Sequence, residues 1–537
     1  MISHKSLFTS RVSTRRQWLP AGAIFALLWV PAALAGPRGI QSRIVDLVRG
    51  SNLGQTDVSL LVMDLSNGQK LAHIRPNNPM IPASNMKLVT TAAALHTLGA
   101  DFVFRTELRA FPSHALQADY HGAEEARSNA TKTPYGYVLV VHGDGDPGLA
   151  DPKLLASRGD NIEKMLDRWI DAIKNAGIKR VTHLYVNDRV FDQQFVHPTW
   201  PRSQLHHWYC AQVAGVNFYT NCLDVYAQPT KPGQHPRVTI FPTTKLVKTQ
   251  NLAVTGRIDT FGISRHLGSN RLLFTGKVRH ARNKPFNVTV HDPPMVFGHL
   301  LAEALRRAGV PVSRVDRVEP DRALPAGTLL HVEQTPLTSV ITRCNKDSQN
   351  LFAEALIKRM GHKFTGAPGS WPNGAAAVGQ FLVDTLGSHT AVVSIADGSG
   401  LSRDNLITAH VLVELLAAMH RHKSLSDVYR QSLSIAHVDG TLANSKPRMS
   451  QRLAGRVFAK TGYINRVSAL SGYLVTNDVA ENGGGVSSDE QRVVAFSLLF
   501  NGFRPPVYVP QVKLVQDNII ELIDKHLSRT PAASYGG

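Results

Sequence analysis

The chain has 537 residues, a formal net charge of +19 and 43% hydrophobic residues. This length predicts two or three domains, and the hydrophobic content with 18% charged residues is typical of a globular protein. Three cysteines exclude a disulfide-rich scaffold, because they allow at most one bridge and one free thiol.

The first 35 residues predict a cleaved signal peptide. An apolar run over 19–30 follows a basic leader without acids, and Ala33-Leu34-Ala35 forms a small-x-small cleavage site before Gly36. The run is shorter than the ~20 residues that span a bilayer, so cleavage is favoured over an anchor. Residues 14–19 weakly resemble a twin-arginine signal, but an ordinary leader is favoured. The basic residues of the leader are Lys5, Arg11, Arg15 and Arg16.

Charge gives a weaker indication of the partner. Removal of residues 1–35 takes away four positive charges and no negative ones, so the formal charge falls from +19 to +15. Such a surplus is typical of nucleic-acid binding, but the basic residues are scattered and the protein is predicted to be exported. We therefore expect no nucleic-acid partner, and an anionic cell wall or membrane surface as a peripheral one.

The elements after the leader predict an α/β protein with a long interruption. An Asn-Gly turn at 67–68 predicts a hairpin between strands over 58–65 and 69–74. The remaining predicted helices lie at 40–50, 85–98, 351–360, 375–386, 409–420 and 509–527, and the later strands at 457–459, 471–476 and 492–500. Between them the chain is rich in strand-like runs, such as those over 137–141, 237–241 and 272–278.

These elements predict an α/β sandwich divided by an insertion. The two halves of the sandwich are residues 36–104 and 335–537. Residues 105–334 are predicted to form the insertion, which is mostly β and divided into two lobes. No cofactor or metal is predicted.

Ser84-Asn85-Met86-Lys87 places a serine and a lysine one turn apart at a predicted helix start. A serine hydroxyl is a weak nucleophile until a base takes its proton, and a lysine serves when burial and nearby positive charge lower its pKa. N–H groups at a helix start suit an oxyanion. Alone, this pairing of two common residues is poor evidence for a catalytic site.

Two further segments strengthen that hypothesis: Ser348-Gln349-Asn350 before a helix and Lys460-Thr461-Gly462 at the end of a strand-like run. Together with Ser84 and Lys87 they resemble, in order, the three signatures of penicillin-binding proteins and serine β-lactamases. The spacing of 264 positions between Ser84 and Ser348 resembles that of the D-Ala-D-Ala carboxypeptidase C family, the class C low-molecular-mass penicillin-binding proteins. These proteins have a large insertion between the two motifs. Segments 143–149, 217–221, 397–402 and 439–442 are also similar to that family.

The resemblance implies a penicillin-binding, transpeptidase-like fold and a periplasmic serine D-Ala-D-Ala carboxypeptidase or endopeptidase. Its substrates would be peptidoglycan peptides, and β-lactam antibiotics would acylate it. Ser84 would be the nucleophile and Lys87 its base, while Ser348 relays a proton and Asn350 holds the substrate amide. Lys460 would tune the proton relay. The implied substrate-binding residues are Lys460, Thr461, Gly462 and Tyr463.

Tyr463 departs from the family, where Ser or Thr often follows the Lys-Thr-Gly. Because the implied oxyanion hole uses the backbone N–H groups of Ser84 and Tyr463, activity is expected to survive this change. The bond preferred, the diamino acid of the stem peptide, the role of the insertion and the oligomeric state stay open. A serine β-lactamase and a non-catalytic wall-binding homologue are the alternative functions.

Two other patterns are interpreted as structural. His206, His207, Cys210 and Cys222 fit no common zinc spacing, so a Cys210–Cys222 disulfide is favoured, with a core role for either cysteine left open. Glu163-Lys164-Met165-Leu166-Asp167 faintly resembles the deacylating-base segment of some β-lactamases. It is interpreted as part of an amphipathic helix with Trp169 and Ile173.

Overall fold

The structure is a computed structural model that describes residues 39–116, 136–443, 448–476 and 492–528. The predicted signal peptide, residues 1–35, lies outside the described residues. None of the helices in the described part of the chain is both long enough and apolar enough to cross a bilayer.

The described chain begins with two helices on either side of a β-hairpin. Their bounds are α1 Ile40–Gly50, β1 Asp57–Asp64, β2 Lys70–Ile74 and α2 Met86–Leu98. The Asn67 side-chain oxygen accepts the Gln69 N–H at 2.8 Å and closes the turn. Gly68 has φ +73°, a conformation that favours glycine. The predicted hairpin is confirmed.

Strands predominate in the described part of the segment from residue 99 to residue 336. The strands are β3 Val103–Pro112, β4 Tyr137–Gly143, β5 Val181–Asn187, β6 Cys222–Gln228, β7 Arg237–Phe241, β8 Lys248–Asn251, β9 Val254–Thr255, β10 Gly262–Arg265, β11 Arg271–Thr275, β12 Lys277–Val278, β13 Phe286–Thr289, β14 Val312–Arg317 and β15 Thr328–Pro336. The helices are α3 Pro152–Ser157, α4 Ile162–Asn175 and α5 Pro293–Arg307.

Five of these strands form one sheet in the order β14–β5–β4–β3–β15, and the others form smaller sheets. Helices α4 and α5 join the core of this region through the rings of Trp169 and Phe297, which meet edge to face with centroids 5.5 Å apart. The single strand predicted over 272–278 is wrong, because Gly276 separates two strands. It has φ +82°, and a Cβ there would lie 2.1 Å from the Thr260 carbonyl oxygen.

The first and last strands of this segment, β3 and β15, are neighbours in one sheet. Strands β3 and β15 pair antiparallel, with Val103 opposite Pro336. The domain limits at 36–104, 105–334 and 335–537, and the division of the insertion into two lobes, stay predictions.

In the described chain after residue 336, a run of helices is followed by strands of a second large sheet and then by a last helix. The helices are α6 Leu337–Lys346, α7 Asn350–Thr365, α8 Trp371–Leu386, α9 Ala409–Arg421, α10 Ser426–Ser432 and α11 Val509–Leu527. The strands are β16 Ser434–Ile435, β17 Val457–Ile464, β18 Val467–Val475 and β19 Val493–Asn501. Strand β18 begins earlier than predicted, because buried Ser468 and Ser471 interrupt its apolar pattern. Their hydroxyls donate to Gln516 and to Asn85, respectively.

The second sheet is antiparallel, with the order β16–β17–β18–β19–β1–β2. Because β1 pairs along its whole length with β19, the early and late parts of the chain share one sheet. Alternate residues of β1 face opposite sides. Leu60 packs in a cluster with Ile44 of α1 and Ile519 of α11, while Leu61 packs with Leu88 of α2 and other helices on the opposite face. The predicted α/β sandwich is confirmed.

Candidate active site

Ser84 and Lys87 lie where a short 3-10 turn, Ala83–Asn85, continues into α2. The one-turn spacing places both side chains on one side of the helix start. The Lys87 Nζ lies 3.0 Å from the Ser84 Oγ, within hydrogen-bond distance. Ser84 is partly exposed and Lys87 is fully buried. A reactant can therefore reach the hydroxyl while the amine stays shielded from water.

The surroundings of Lys87 favour a neutral amine. Its Nζ donates to the Asn350 Oδ1 at 2.7 Å and to the Ser399 carbonyl oxygen at 3.0 Å, both uncharged acceptors. Burial lowers the pKa of Lys87 to about 8, although the charge of Glu354 acts in the opposite direction. At pH 7 about one Lys87 in ten is then neutral. A lysine with this pKa suits a general base.

Ser348 and Asn350 lie at the junction of α6 and α7. Ser348 has φ +56°, a left-handed conformation that is uncommon outside glycine, and Asn350 is the first residue of α7. The Asn350 Nδ2 donates to the Tyr209 carbonyl oxygen at 2.8 Å. Since a carbonyl only accepts, this bond orients the amide so that its oxygen faces Lys87.

Lys460 approaches from the other side of the cleft, on β17. Its Nζ lies 2.9 Å from the Ser348 Oγ and 3.0 Å from the Thr461 carbonyl oxygen. Burial and then the charge of Lys87 lower the pKa of Lys460 well below its ordinary value. The structure thus brings the three predicted segments together, with Lys87 linked to Ser84 and Asn350, and Lys460 linked to Ser348.

Strand β17 runs directly against the start of α2 at Gly462. A Cβ at this position would lie 3.2 Å from the Ser84 nitrogen and 3.0 Å from the Pro82 carbonyl oxygen. Glycine therefore allows the strand to approach the Ser84 N–H closely. Asn85 also links the helix start to β17, because its Nδ2 donates to the Lys460 carbonyl oxygen at 2.7 Å.

A buried loop over residues 397–402 supports Lys87 from behind. The Glu354 carboxylate accepts the N–H groups of Gly398 at 3.0 Å and Ser399 at 2.8 Å. These bonds fix the backbone just before the Ser399 carbonyl oxygen that accepts from Lys87, and the Gly400 N–H of that same peptide unit donates to the Asp397 carboxylate at 2.8 Å. Burial, followed by the charge of Asp397, raises the pKa of Glu354 to about 7. Sequence analysis assigned Glu354 no role, although it lies one helical turn after Asn350 and therefore on the same face.

The outer edge of the site contains Thr461 and Tyr463. The Thr461 hydroxyl donates to the Thr441 Oγ1 at 2.9 Å, another contact that sequence analysis missed. Tyr463 is 52% exposed, and the Lys513 Nζ lies 5.7 Å from the centre of its ring. Near the cleft, Gln349 and Trp208 line a cavity of about 210 Å³.

The favoured Cys210–Cys222 disulfide is wrong, whereas the core role left open for either cysteine is confirmed. Cys210 and Cys222 are free thiols, not a disulfide. Both lie in the apolar cluster beneath α2 and α7, where a thiol packs as a small hydrophobic group. Burial raises the pKa of each thiol to about 12, so both are protonated at neutral pH.

The two remaining interpretations concern metal binding and the Glu163 segment. No group of three or more His, Cys, Asp or Glu side chains among the described residues is placed to hold a metal ion. Glu163 is exposed on α4, and the buried face of that helix includes Trp169 and Ile173. The amphipathic helix predicted there is confirmed.

Comparison with known proteins agrees with this geometry. The family model for D-Ala-D-Ala carboxypeptidase 3 (S13) matches residues 40–525. A D-alanyl-D-alanine carboxypeptidase of an Actinomadura species is 32% identical over 469 residues, which cover 83% of this chain and 78% of that protein. The carboxypeptidase DacB of Haemophilus influenzae is 24% identical over 470 residues, which cover 85% of this chain and 87% of that protein.

The fold is also found among solved structures. The crystal structure of penicillin binding protein 4 from Haemophilus influenzae superposes with a TM-score of 0.69 at 21% identity. The superposition covers 89% of this chain and 99% of that one, so the two proteins share the whole architecture. The chain belongs to the D-Ala-D-Ala carboxypeptidase 3 (S13) family.

Proposed function

We propose that this protein is a serine D-Ala-D-Ala carboxypeptidase and endopeptidase that cleaves peptidoglycan peptides through an acyl-enzyme. One observation carries the proposal: Lys87 lies 3.0 Å from the Ser84 hydroxyl while Lys460 lies 2.9 Å from the Ser348 hydroxyl. A nucleophile paired with a base, and a second hydroxyl paired with another lysine amine for proton relay, are groups suited to acyl transfer.

The acylation step begins at Ser84. Its Oγ attacks the carbonyl carbon between the two D-alanines, and its proton passes to the Lys87 Nζ. The N–H groups of Ser84 and Tyr463 stabilise the oxyanion that forms, an arrangement supported by the close approach at Gly462. The C–N bond then breaks, and the proton that Lys87 took from Ser84 passes through the Ser348 hydroxyl to the leaving amine.

The remaining groups bind substrate and complete the cycle. Asn350 orients both Lys87 and the substrate amide, while Lys460 and Thr461 bind the terminal carboxylate. After D-alanine or the second peptide has left, water attacks the ester carbonyl, and Lys87, neutral again, accepts a proton from the water. As the ester C–O bond breaks, Lys87 gives this proton to the Ser84 Oγ, and the hydroxyl is restored. A β-lactam acylates the same oxygen by opening its ring. The solved Haemophilus influenzae relative has also been crystallised with a β-lactam.

The experiment that tests this proposal is mass spectrometry of the protein after incubation with penicillin. We expect one covalent adduct on the peptide that contains Ser84, and none in Ser84→Ala. The exposed Ser424→Ala variant is the matched control and keeps the adduct. An adduct on a different residue, or an unchanged yield in Ser84→Ala, would contradict the proposal. Fast nitrocefin turnover without a lasting adduct would favour the β-lactamase alternative.

Muropeptides provide the second part of the test. Release of D-alanine identifies carboxypeptidase activity, and separation of cross-linked dimers identifies endopeptidase activity. Loss of both in Ser84→Ala is expected. If neither product forms with the unmodified protein, the non-catalytic alternative gains support.

We also infer export to the periplasm, followed by cleavage after Ala35, from the basic leader and its small-x-small site. The net positive charge supports peripheral association with the cell wall or the membrane surface. N-terminal sequencing of the protein recovered from the periplasm tests the cleavage, and a start at Gly36 is expected.

A further inference from the structure

Thr441 and Thr461 bring two hydroxyls together from separate parts of the fold. Thr461 belongs to β17, whereas Thr441 belongs to the 3-10 turn Gly440–Leu442. Their Oγ1 atoms are 2.9 Å apart. The pair lies next to Lys460, whose Nζ donates to the Thr461 carbonyl oxygen. Thr441 is exposed and Thr461 is partly exposed, so both hydroxyls are accessible from the cleft.

The hydroxyl hydrogens of this cluster follow one direction. The Ser434 Oγ accepts the Thr441 N–H at 3.1 Å and donates to the Lys346 carbonyl oxygen at 3.3 Å. Because Ser434 has only one hydrogen to give, Thr441 is the donor in the 3.1 Å contact between their hydroxyls. The Thr441 Oγ1 is then free to accept from Thr461. Each threonine hydrogen is thus engaged by a neutral oxygen and can rotate towards a stronger acceptor.

The backbone holds Thr441 firmly in this position. Gly440 has φ +61°, and a Cβ there would lie 2.4 Å from the Ser434 Oγ and 2.7 Å from the Lys346 carbonyl oxygen. The neighbouring Asp439 accepts the Ile435 N–H at 3.0 Å and forms an ion pair with Lys346. A hydroxyl held in place in this way loses little conformational freedom when it binds a ligand.

We propose that Thr441 is a substrate-binding residue, the second hydroxyl of the subsite for the carboxylate that ends the substrate peptide. This inference rests on the proposed function. Thr461 donates to one carboxylate oxygen and Thr441 to the other, while Ser434 keeps its bonds to the Thr441 N–H and Lys346. Two neutral hydrogen bonds are exchanged for two charge-assisted ones, which are about twice as strong.

Tyr463 does not supply this second hydroxyl. It lies two residues after Thr461 and therefore on the same side of β17. Its side chain is long and half exposed, and its ring lies beside Lys513. The short hydroxyl next to Thr461 comes instead from Thr441, on a segment that sequence analysis noted only for its resemblance.

The test compares two peptides that end in D-Ala-D-Ala, one with a free carboxylate and one with a terminal amide. In Thr441→Val we expect kcat/KM for the free acid to fall roughly 10- to 100-fold, mainly through KM, because one charge-assisted hydrogen bond is lost. The value for the amide changes much less. Thr441→Ser restores the hydroxyl and most of the rate. Equal losses for both peptides, or no loss for the free acid, would overturn the proposal.

Three controls separate this inference from other causes. Thr243→Val removes an exposed hydroxyl far along the chain and should alter neither rate. Thr441→Ala replaces Thr441→Val if the valine variant does not fold. Combining Thr441→Val with Thr461→Val should cost less than the sum of the single effects, since both bind one group. If the unmodified protein forms no penicillin adduct at Ser84, the proposed function fails, whereas an adduct with no acid–amide difference removes only this inference.

Discussion

Among the described residues, three lysines are fully buried, and they lie in two regions that differ in the groups around the ammonium. In the proposed catalytic cleft, the hydrogen bonds found for Lys87 and Lys460 go to hydroxyl, amide and carbonyl oxygens. Beneath the cleft, Lys358 of α7 forms an ion pair with Asp192 at 2.6 Å. This second region, the junction, comprises the ion pairs between helices α6 and α7 and the segment between β3 and β15.

The other cations of the junction are paired in the same way. Arg359 contacts Asp144 at 2.8 Å, and Arg343 binds both oxygens of the fully buried Asp151 at 2.7 and 3.1 Å. Burial penalises a charge unless an opposite charge compensates for it. A contacting carboxylate offsets part of the effect of burial: Asp192 acts to raise the pKa of Lys358, although burial is the larger effect and lowers that pKa overall. The neutral acceptors around Lys87 and Lys460 provide no such contact. The two regions should respond differently to substitution and pH.

The largest difference is expected between two lysine variants. Lys87→Met should slow acylation by penicillin roughly 10²- to 10⁴-fold, because the general base is lost. Lys358→Met should lower the melting temperature, since Asp192 loses its cation, but leave the acylation rate of the folded enzyme almost unchanged. Stopped-flow acylation and thermal melting measure both quantities. Comparable slowing in Lys358→Met would remove the distinction between the regions.

Arg343→Ala tests the structural character of the junction. The buried Asp151 carboxylate would lose its guanidinium, and we expect the free energy of unfolding to fall by about 3–5 kcal/mol. Urea titration measures it. The exposed pair Arg75–Asp57 provides the control, because Arg75→Ala should cost no more than about 1 kcal/mol. Equal losses in both variants would contradict the role assigned to burial.

The cleft should also control the pH dependence of acylation. Only the neutral form of Lys87 accepts the Ser84 proton, and burial lowers its pKa to about 8. The rate should therefore rise about tenfold per pH unit below pH 8 and level off above it. A buffer series with a fluorescent penicillin measures this profile. A rate that falls as pH rises from 6 to 8 would exclude a neutral lysine as the base.

The smallest expected effect concerns Glu354. Its negative charge raises the pKa of Lys87, so Glu354→Gln should move the midpoint of the acylation profile downwards by up to about one unit. Glu354→Asp keeps the charge and should keep the midpoint near its original value. Glu303→Gln, on α5, is the distant control. A change in rate without a change in midpoint would limit Glu354 to holding the loop at Ser399.

The local sequence around each motif predicted the secondary structure and the short-range contacts of that motif. Ser84 and Lys87 are three residues apart at a helix start, so their contact follows from helix geometry alone. The Asn-Gly turn predicted the hairpin because it depends on neighbouring residues. By contrast, the disulfide prediction was wrong, because the number of cysteines does not say whether two thiols are oriented to bond or each buried as a small apolar group.

The sequence by itself predicted the residues of the proposed mechanism through their resemblance to family signatures. It predicted the local elements and the α/β class from short-range spacing and apolar periodicity. Only the tertiary structure decided which distant groups meet. Asn350 reaches Lys87 across 263 positions, Ser399 across 312, and Thr461 finds Thr441 on a separate turn. The low pKa of Lys87 also depends on the tertiary structure, because the amine is buried and meets neighbouring charges only after packing has excluded water.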